Sequence, residues 1–121
     1  MSWTPLYIFI ALALGYILLK RSGQVSVKEA VQYVKGGAMV IDVREPSEFN
    51  SGHLSQAVNM PLDRIDVLIP GVVRDKSKVL LLHCQSGIRS GVAKNKLVAM
   101  GYKNTYNLGS FQRAASIVGR R

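Results

Sequence analysis

Residues 79–90 read VLLLHCQSGIRS, and this segment decides the fold class. Its first five residues form an apolar run that ends in His83, which predicts a strand buried in the middle of a mostly parallel sheet. The run leads directly to Cys84, and helical spacing begins again at Ser90. A strand, a short loop and a helix in this order are typical of α/β proteins, whose reactive groups lie at the carboxyl ends of strands.

Strand and helix signals also alternate on both sides of this segment, so we expect an open, largely parallel sheet flanked by helices. The predicted elements are a helix after a capping box at Ser26 and Glu29, a strand at 38–43, a short helical turn led by Pro46, a strand at 57–59, a helix at 62–69 ended by Pro70, the strand at 79–83, a helix at 90–100, a strand at 105–107 and a helix at 110–118.

The N-terminal segment differs from the rest of the chain, because residues 3–19 carry no charged side chain. As a helix this segment reaches about 25 Å, slightly less than a ~30 Å hydrocarbon core, and Lys20 can extend to the interface. We therefore expect one transmembrane helix in contact with the lipid bilayer. A cleaved signal peptide is the alternative, but no positive charge precedes the run, and Lys20 and Arg21 stand where small residues are expected.

The chain accordingly divides into an anchor with a short linker at residues 1–22 and one domain at residues 23–121. The flanking positive charges follow the apolar run, which predicts a single pass through the cell (inner) membrane with the domain in the cytoplasm. A membrane protein is one expected partner of such a tethered domain.

Composition excludes several classes of function. The 121 residues contain one cysteine, so an internal disulfide or a zinc site built on several cysteines is excluded. The His, Cys and carboxylate residues have no metal-ligand spacing, so no metal and no cofactor are predicted. The net charge is +9, but the basic residues are scattered, and no nucleic-acid partner is expected.

Cys84 is the candidate nucleophile. The loop that follows it turns into a helix start, where backbone N–H groups and the helix dipole favour a thiolate. A buried structural thiol is the alternative interpretation. The interpretation as a nucleophile is favoured because the strand end, a glycine, an arginine and a helix start occur together in this segment. The residues expected to surround the sulfur are Gln85, Ser86, Gly87, Ile88 and Arg89, with Ser90 as support; Arg89 suits an anionic donor or steadies the loop.

Four segments resemble the rhodanese family in the family's own order. Residues 84–89 are similar to its C-x-x-G-x-R loop, residues 41–49 to D-V-R-x-x-x-E-[FY] and residues 52–61 to G-H-I-x-G-A-x-N-I-P, and residues 101–110 follow near the end. The resemblance covers residues 24 to 121. Two positions depart from the pattern: Gln56 replaces the usual glycine, and Ala114 stands where many members carry a tryptophan.

The resemblance implies a sulfurtransferase with a rhodanese-like fold. Cys84 would take the sulfane sulfur of a small donor such as thiosulfate, become a persulfide, and pass that sulfur to cyanide, a thiol or an acceptor protein. The N–H groups that stabilise the thiolate also stabilise the persulfide anion, so no separate general base is required.

Further polar residues have a structural and a functional interpretation. Asp42 and Arg44 form a structural ion pair or brace the loop. Arg44 and Arg64 are weaker candidates for anion contacts in the pocket. His53 falls in a turn of the family pattern, which favours a structural role over proton transfer. His83 points to the opposite face of its strand from Cys84 and is a poor general base.

Two other functions compete with sulfur transfer. Cysteine phosphatases related to rhodaneses carry C-x5-R, a loop one residue longer that encloses a phosphate, whereas Cys84 and Arg89 are spaced as C-x4-R. A non-catalytic rhodanese-like adaptor at the membrane is the second alternative, and the retained cysteine argues against it.

Overall fold

The computed structural model describes residues 2–119, except for the side chains of residues 18–22. Helices and strands alternate after the second helix, as the sequence predicts for an α/β fold. In chain order the elements are α1 (Thr4–Ser22), α2 (Val27–Lys35), β1 (Met39–Asp42), α3 (Pro46–Ser51), β2 (Ala57–Asn59), α4 (Ile65–Val72), β3 (Leu80–His83), α5 (Ile88–Ala99), β4 (Thr105–Gly109) and α6 (Phe111–Val118).

The sheet is parallel and has the strand order β2-β1-β3-β4. All four residues of β3 are buried, and β3 lies between β1 and β4, which confirms the prediction of a central buried strand. A parallel bridge between Gln24 and Asn107 brings the segment before α2 beside β4. Because the strands are parallel, their carboxyl ends meet at one edge, and Cys84 lies at that edge.

Side chains of the sheet alternate between two apolar layers, because successive strand residues point to opposite faces. Leu80 and Leu82 pack with α4 and α5 in one layer, which also contains Cys84. Leu81 packs with α2 and α6 in the other layer. Ala114, which stands where many family members carry a tryptophan, is fully buried in this second layer.

The helix predicted at residues 62–69 has different bounds in the structure. Helix α4 begins at Ile65 rather than at residue 62, because residues 62–64 form a turn in which the Arg64 N–H donates to the Pro61 carbonyl at 2.9 Å. It also continues past Pro70 to Val72 instead of ending there. Proline removes one helical hydrogen bond, but burial of Ile65 and Ile69 holds the helix against the sheet.

The described side chains of α1 are mostly exposed, with Tyr7, Phe9 and Leu12 each about 70% exposed. Within the described residues, no helix is long and apolar enough to cross a membrane, so the transmembrane segment predicted at residues 3–19 is not supported. The side chains of Lys20 and Arg21, on which the predicted orientation depends, lie outside the described residues, as do residues 120 and 121.

Candidate active site

Cys84 follows the last residue of β3, and its side chain is completely buried. Its backbone N–H donates to the carbonyl of Gly109, the last residue of β4, at 3.3 Å. The central strand and its neighbour therefore fix the position of the thiol at the carboxyl edge of the sheet.

The Cys84 sulfur lies against the first turn of α5. The Gly87 N–H donates to Sγ at 3.0 Å, and the Ser90 hydroxyl oxygen lies 3.5 Å from Sγ. Gly87 is the N-cap residue of α5, so the positive end of the helix dipole is directed at the sulfur.

These contacts change the acidity of the thiol. Burial raises the pKa of Cys84, but hydrogen bonds from the Ser90 hydroxyl and from the backbone N–H groups of Ser90, Gly87 and Ser86 outweigh it. The pKa of Cys84 therefore lies below its usual value, which increases the thiolate fraction near neutral pH.

Gly87 is required by backbone geometry and by space. Its φ of +97° lies in the left-handed region, which residues with a Cβ rarely adopt. A Cβ at this position would lie 3.1 Å from the Gly109 Cα and 3.2 Å from the Gln24 Nε2. Glycine therefore allows the loop to approach β4 closely while its N–H points at the sulfur.

The outer part of the loop is exposed but anchored. Gln85, Ser86 and Ile88 are exposed to solvent. The Gln85 carbonyl accepts the Phe111 N–H at 3.3 Å, and Ser86 forms an antiparallel bridge with Ser110. The start of α6 thus holds the rim above the buried sulfur.

Arg89 is paired with Glu48 of α3. The two guanidinium–carboxylate contacts measure 2.6 and 3.0 Å, and each side chain is about one-third exposed. The hydrogen bond from Arg89 lowers the pKa of Glu48 to about 2. The sequence leaves two roles open for Arg89, contact with an anionic donor or support of the loop, and this ion pair braces the loop against α3.

Asp42 and Arg44 form a buried ion pair beside the site. The guanidinium contacts both Asp42 carboxylate oxygens at 2.8–3.0 Å and also donates to the Gly52 carbonyl at 2.8 Å. It lies 4.7 Å from the centre of the Phe111 ring, and Arg44 is 5% exposed. This arrangement ties Arg44 to the fold rather than to the pocket.

The remaining candidates are spread over the domain. Arg64 is exposed at the N-cap of α4. His53 stacks on Phe49 and its Nδ1 lies 2.8 Å from the Phe49 carbonyl, which is a structural arrangement within a turn.

His83 is fully buried and its ring meets the edge of Phe111. Its Nε2 has no hydrogen-bond partner among the described residues and lies 3.9 Å from the Asp42 carboxylate. Burial lowers the pKa of His83, although the nearby Asp42 carboxylate acts in the opposite direction.

Sequence reasoning did not identify Asn107 as part of the site. This β4 residue is 4% exposed, and its amide contacts Gly87, Ser90 and Gly109, which all surround the cysteine. A polar residue inside a predicted strand, followed by a glycine two positions later, is the one sequence signal that marks it.

The chain matches the family described as Rhodanese-like domain over residues 26–114. It is 36% identical over 75 residues to the thiosulfate sulfurtransferase PspE of Escherichia coli K12, which is 62% of this chain and 72% of PspE. It is 40% identical over 77 residues to the uncharacterized protein YqhL of Bacillus subtilis, covering 63% of this chain and 60% of YqhL.

Solved structures show the same fold. A rhodanese with anions from E. coli matches with a TM-score of 0.61 at 34% identity, covering 64% of this chain and 91% of that one. The human single-domain sulfurtransferase TSTD1 matches with a TM-score of 0.65 at 21% identity, covering 78% and 96%, which shows the fold alone. Together with the family match and the relatives named thiosulfate sulfurtransferase, these findings show that this chain belongs to the rhodanese-like domain family and is a rhodanese-type transferase.

Proposed function

We propose that this chain moves a sulfane sulfur from a donor such as thiosulfate to a thiophilic acceptor through a persulfide on Cys84. The observation that carries the proposal is the 3.0 Å hydrogen bond from the Gly87 N–H to Sγ, in a loop that lowers the pKa of the thiol. The relative PspE is named a thiosulfate sulfurtransferase, which supports thiosulfate as a donor.

In the first step the Cys84 thiolate attacks the outer sulfur of thiosulfate. A bond forms between Sγ and that sulfur, the sulfur–sulfur bond of thiosulfate breaks, and its electron pair leaves with sulfite. The N–H of Gly87 and the Ser90 hydroxyl are placed to stabilise negative charge on Sγ before attack.

In the second step an acceptor attacks the outer sulfur of the persulfide. With cyanide, a carbon–sulfur bond forms, thiocyanate leaves, and the electron pair of the broken bond returns to Sγ as a thiolate. A cellular thiolate or an acceptor protein reacts in the same way and itself becomes a persulfide. Because Sγ is ionised at the beginning and at the end, neither step needs a general base.

The test uses the full chain, incubated with thiosulfate and desalted. Intact mass spectrometry is expected to show one added sulfur, about 32 Da, as a persulfide. Cys84 is the only cysteine in the sequence, so Cys84→Ser, which preserves size, is expected to lose the adduct and thiocyanate formation together. A folded wild-type chain that gains no mass with thiosulfate, an alkyl persulfide or a persulfidated protein contradicts the proposal.

The phosphatase alternative is disfavoured by the length of the loop. Cys84 and Arg89 are spaced as C-x4-R, whereas the related phosphatases carry C-x5-R. Hydrolysis of an aryl phosphate by wild type, lost in Cys84→Ser and without any thiocyanate formation, would favour the phosphatase. An adaptor would show neither activity.

We further propose that residues 3–19 attach the chain to the cell membrane, with the domain in the cytoplasm and a membrane protein as sulfur donor or acceptor. The support is the apolar surface of α1, where Tyr7, Phe9 and Leu12 are largely exposed. Recovery of the full chain in alkali-washed membranes, with a C-terminal tag accessible only from the cytoplasm, is expected. Full release into the soluble fraction would exclude the attachment.

A further inference from the structure

The side-chain amide of Asn107 makes three hydrogen bonds, and every one of its partners belongs to the surroundings of Cys84. Its Nδ2 donates to the Gly87 carbonyl at 3.1 Å. Its Oδ1 accepts the Gly109 N–H at 2.9 Å and the Ser90 hydroxyl at 2.7 Å. A buried amide with this set of partners fixes their relative positions, because losing any of them would leave a buried polar group unsatisfied.

The first partner is the Gly87 carbonyl, and holding it affects where the Gly87 N–H points. Gly87 has a left-handed backbone conformation; its N–H donates to Sγ and its carbonyl accepts the Asn107 amide. Glycine alone has wide conformational freedom at this position. The amide of Asn107 limits that freedom together with the Gly91 N–H, since both donate to the Gly87 carbonyl, at 3.1 and 3.2 Å.

The Ser90 hydroxyl has one hydrogen and two possible acceptors, Asn107 Oδ1 and Cys84 Sγ. The Ser90 oxygen lies 2.7 Å from Asn107 Oδ1 and 3.5 Å from Cys84 Sγ, so the hydrogen rests on Asn107 while the sulfur is a thiol. When the sulfur is ionised, the hydrogen can turn to it, and Oδ1 still keeps the Gly109 N–H. Asn107 therefore holds the hydroxyl within reach of the sulfur at little cost.

We infer that Asn107 is a positioning residue of the transfer reaction, which holds the Gly87 peptide and the Ser90 hydroxyl where they stabilise negative charge on Cys84. The kinetic part of this inference rests on the proposed function. The electrostatic part does not, because the ionisation of a thiol is measured without any sulfur donor.

The experiment follows the ultraviolet absorbance of the Cys84 thiolate against pH in the full chain, with Cys84→Ser as the blank. Ser90→Ala is expected to raise the pKa of Cys84, because the hydroxyl donor is lost. Asn107→Leu added to Ser90→Ala is expected to raise the pKa further, because the Gly87 N–H is then no longer aimed at the sulfur. At pH 7 this second change should slow persulfide formation about tenfold, the worth of one hydrogen bond to a charged group.

Thr105→Val is the matched control, since Thr105 lies on the same strand and its hydroxyl makes a buried hydrogen bond to Tyr102, away from the sulfur. It should lower the melting temperature without moving the pKa of Cys84. If Asn107→Leu prevents folding, Asn107→Ala in the same Ser90→Ala background removes the amide without adding a charge and should likewise raise the pKa.

A pKa of Cys84 that is equal in Ser90→Ala and in the double variant, whether the second change is Asn107→Leu or Asn107→Ala, overturns the inference. Failure of the proposed function looks different: the pKa shifts appear as expected, but no donor adds sulfur to the wild-type chain.

Discussion

Two acidic groups lie at the carboxyl ends of neighbouring strands, and the protein stabilises them in different ways. Asp42 ends β1, is fully buried, and has both carboxylate oxygens bound by the guanidinium of Arg44. Cys84 follows β3 and is equally buried, but its sulfur faces the Gly87 N–H and the Ser90 hydroxyl. One site uses a full counter-charge and the other uses neutral donors.

This difference separates a structural anion from a reactive one. A carboxylate in a buried, bidentate ion pair is held in one place, and its charge is already compensated by the cation. Neutral N–H and O–H donors lower the pKa of a thiol without covering it with a cation. The one cation of the cysteine loop, Arg89, interacts mainly with Glu48 and only to a smaller extent with Cys84, so neutral donors supply most of the stabilisation of the sulfur.

The largest effect is expected from breaking the structural pair. Arg44→Leu leaves the Asp42 carboxylate buried without its cation, which should lower the free energy of unfolding by about 3–5 kcal/mol. Urea unfolding of the full chain measures this loss. Arg74→Leu, at an exposed arginine, should change it by less than about 0.5 kcal/mol. A loss below about 1 kcal/mol in Arg44→Leu would show that the pair is not the main support of Asp42.

Moving the Gly87 N–H away from the sulfur should reduce stability less than Arg44→Leu does, but should reduce the transfer rate more. Gly87→Ala forces a side chain into left-handed backbone geometry, at about 1–2 kcal/mol, and places a Cβ 3.1 Å from the Gly109 backbone. If the N–H moves away from Sγ, persulfide formation should slow about a hundredfold. Gly71→Ala, whose Cβ would meet nothing within 4 Å, is the control and should leave the rate unchanged. Equal rates for the two variants would contradict this role of Gly87.

The smallest effect is expected from breaking the ion pair between Arg89 and Glu48. The pKa of Glu48 is lowered from 4.5 to about 2, so its contribution to stability is present above pH 4.5 and is lost as the pH falls towards 2. Since both side chains are one-third exposed, Glu48→Gln should cost only about 0.5 kcal/mol at pH 7 and nothing at pH 2.

A double-mutant cycle isolates that pair. In the Glu48→Gln background, Arg89→Gln should cause no further loss of stability that depends on pH between 5 and 2. Thermal unfolding measures this. A pH-independent difference between wild type and Glu48→Gln would show that the pair contributes nothing through charge.

The central strand, the cysteine and the loop could be predicted because their signals are local. The apolar run at 79–83 and the glycine three residues after Cys84 lie within one short segment. The start of α5 was expected at Ser90 but lies at Ile88, because Gly87 takes the N-cap position with φ +97° and the loop's last residues become the first helical turn.

Contacts between distant residues could not be predicted in the same way. Arg89 pairs with Glu48 across 41 positions, and Asn107 reaches Gly87 across 20. Periodicity assigns such residues to an element but not to a partner, so the sequence alone does not decide whether Arg89 faces a donor or steadies the loop. The same limit applies to α4, where burial of Ile69 outweighs the helix-breaking tendency of Pro70.

The complete burial of the Cys84 side chain makes the loop a filter for molecular width. A reagent whose electrophilic sulfur stands at the tip of a slender anion can present that atom to a recessed thiol. A bulky disulfide, whose sulfurs are shielded by substituents on both sides, approaches it less easily. We therefore expect Cys84 to react more slowly with a bulky disulfide than an exposed cysteine of the same pKa would.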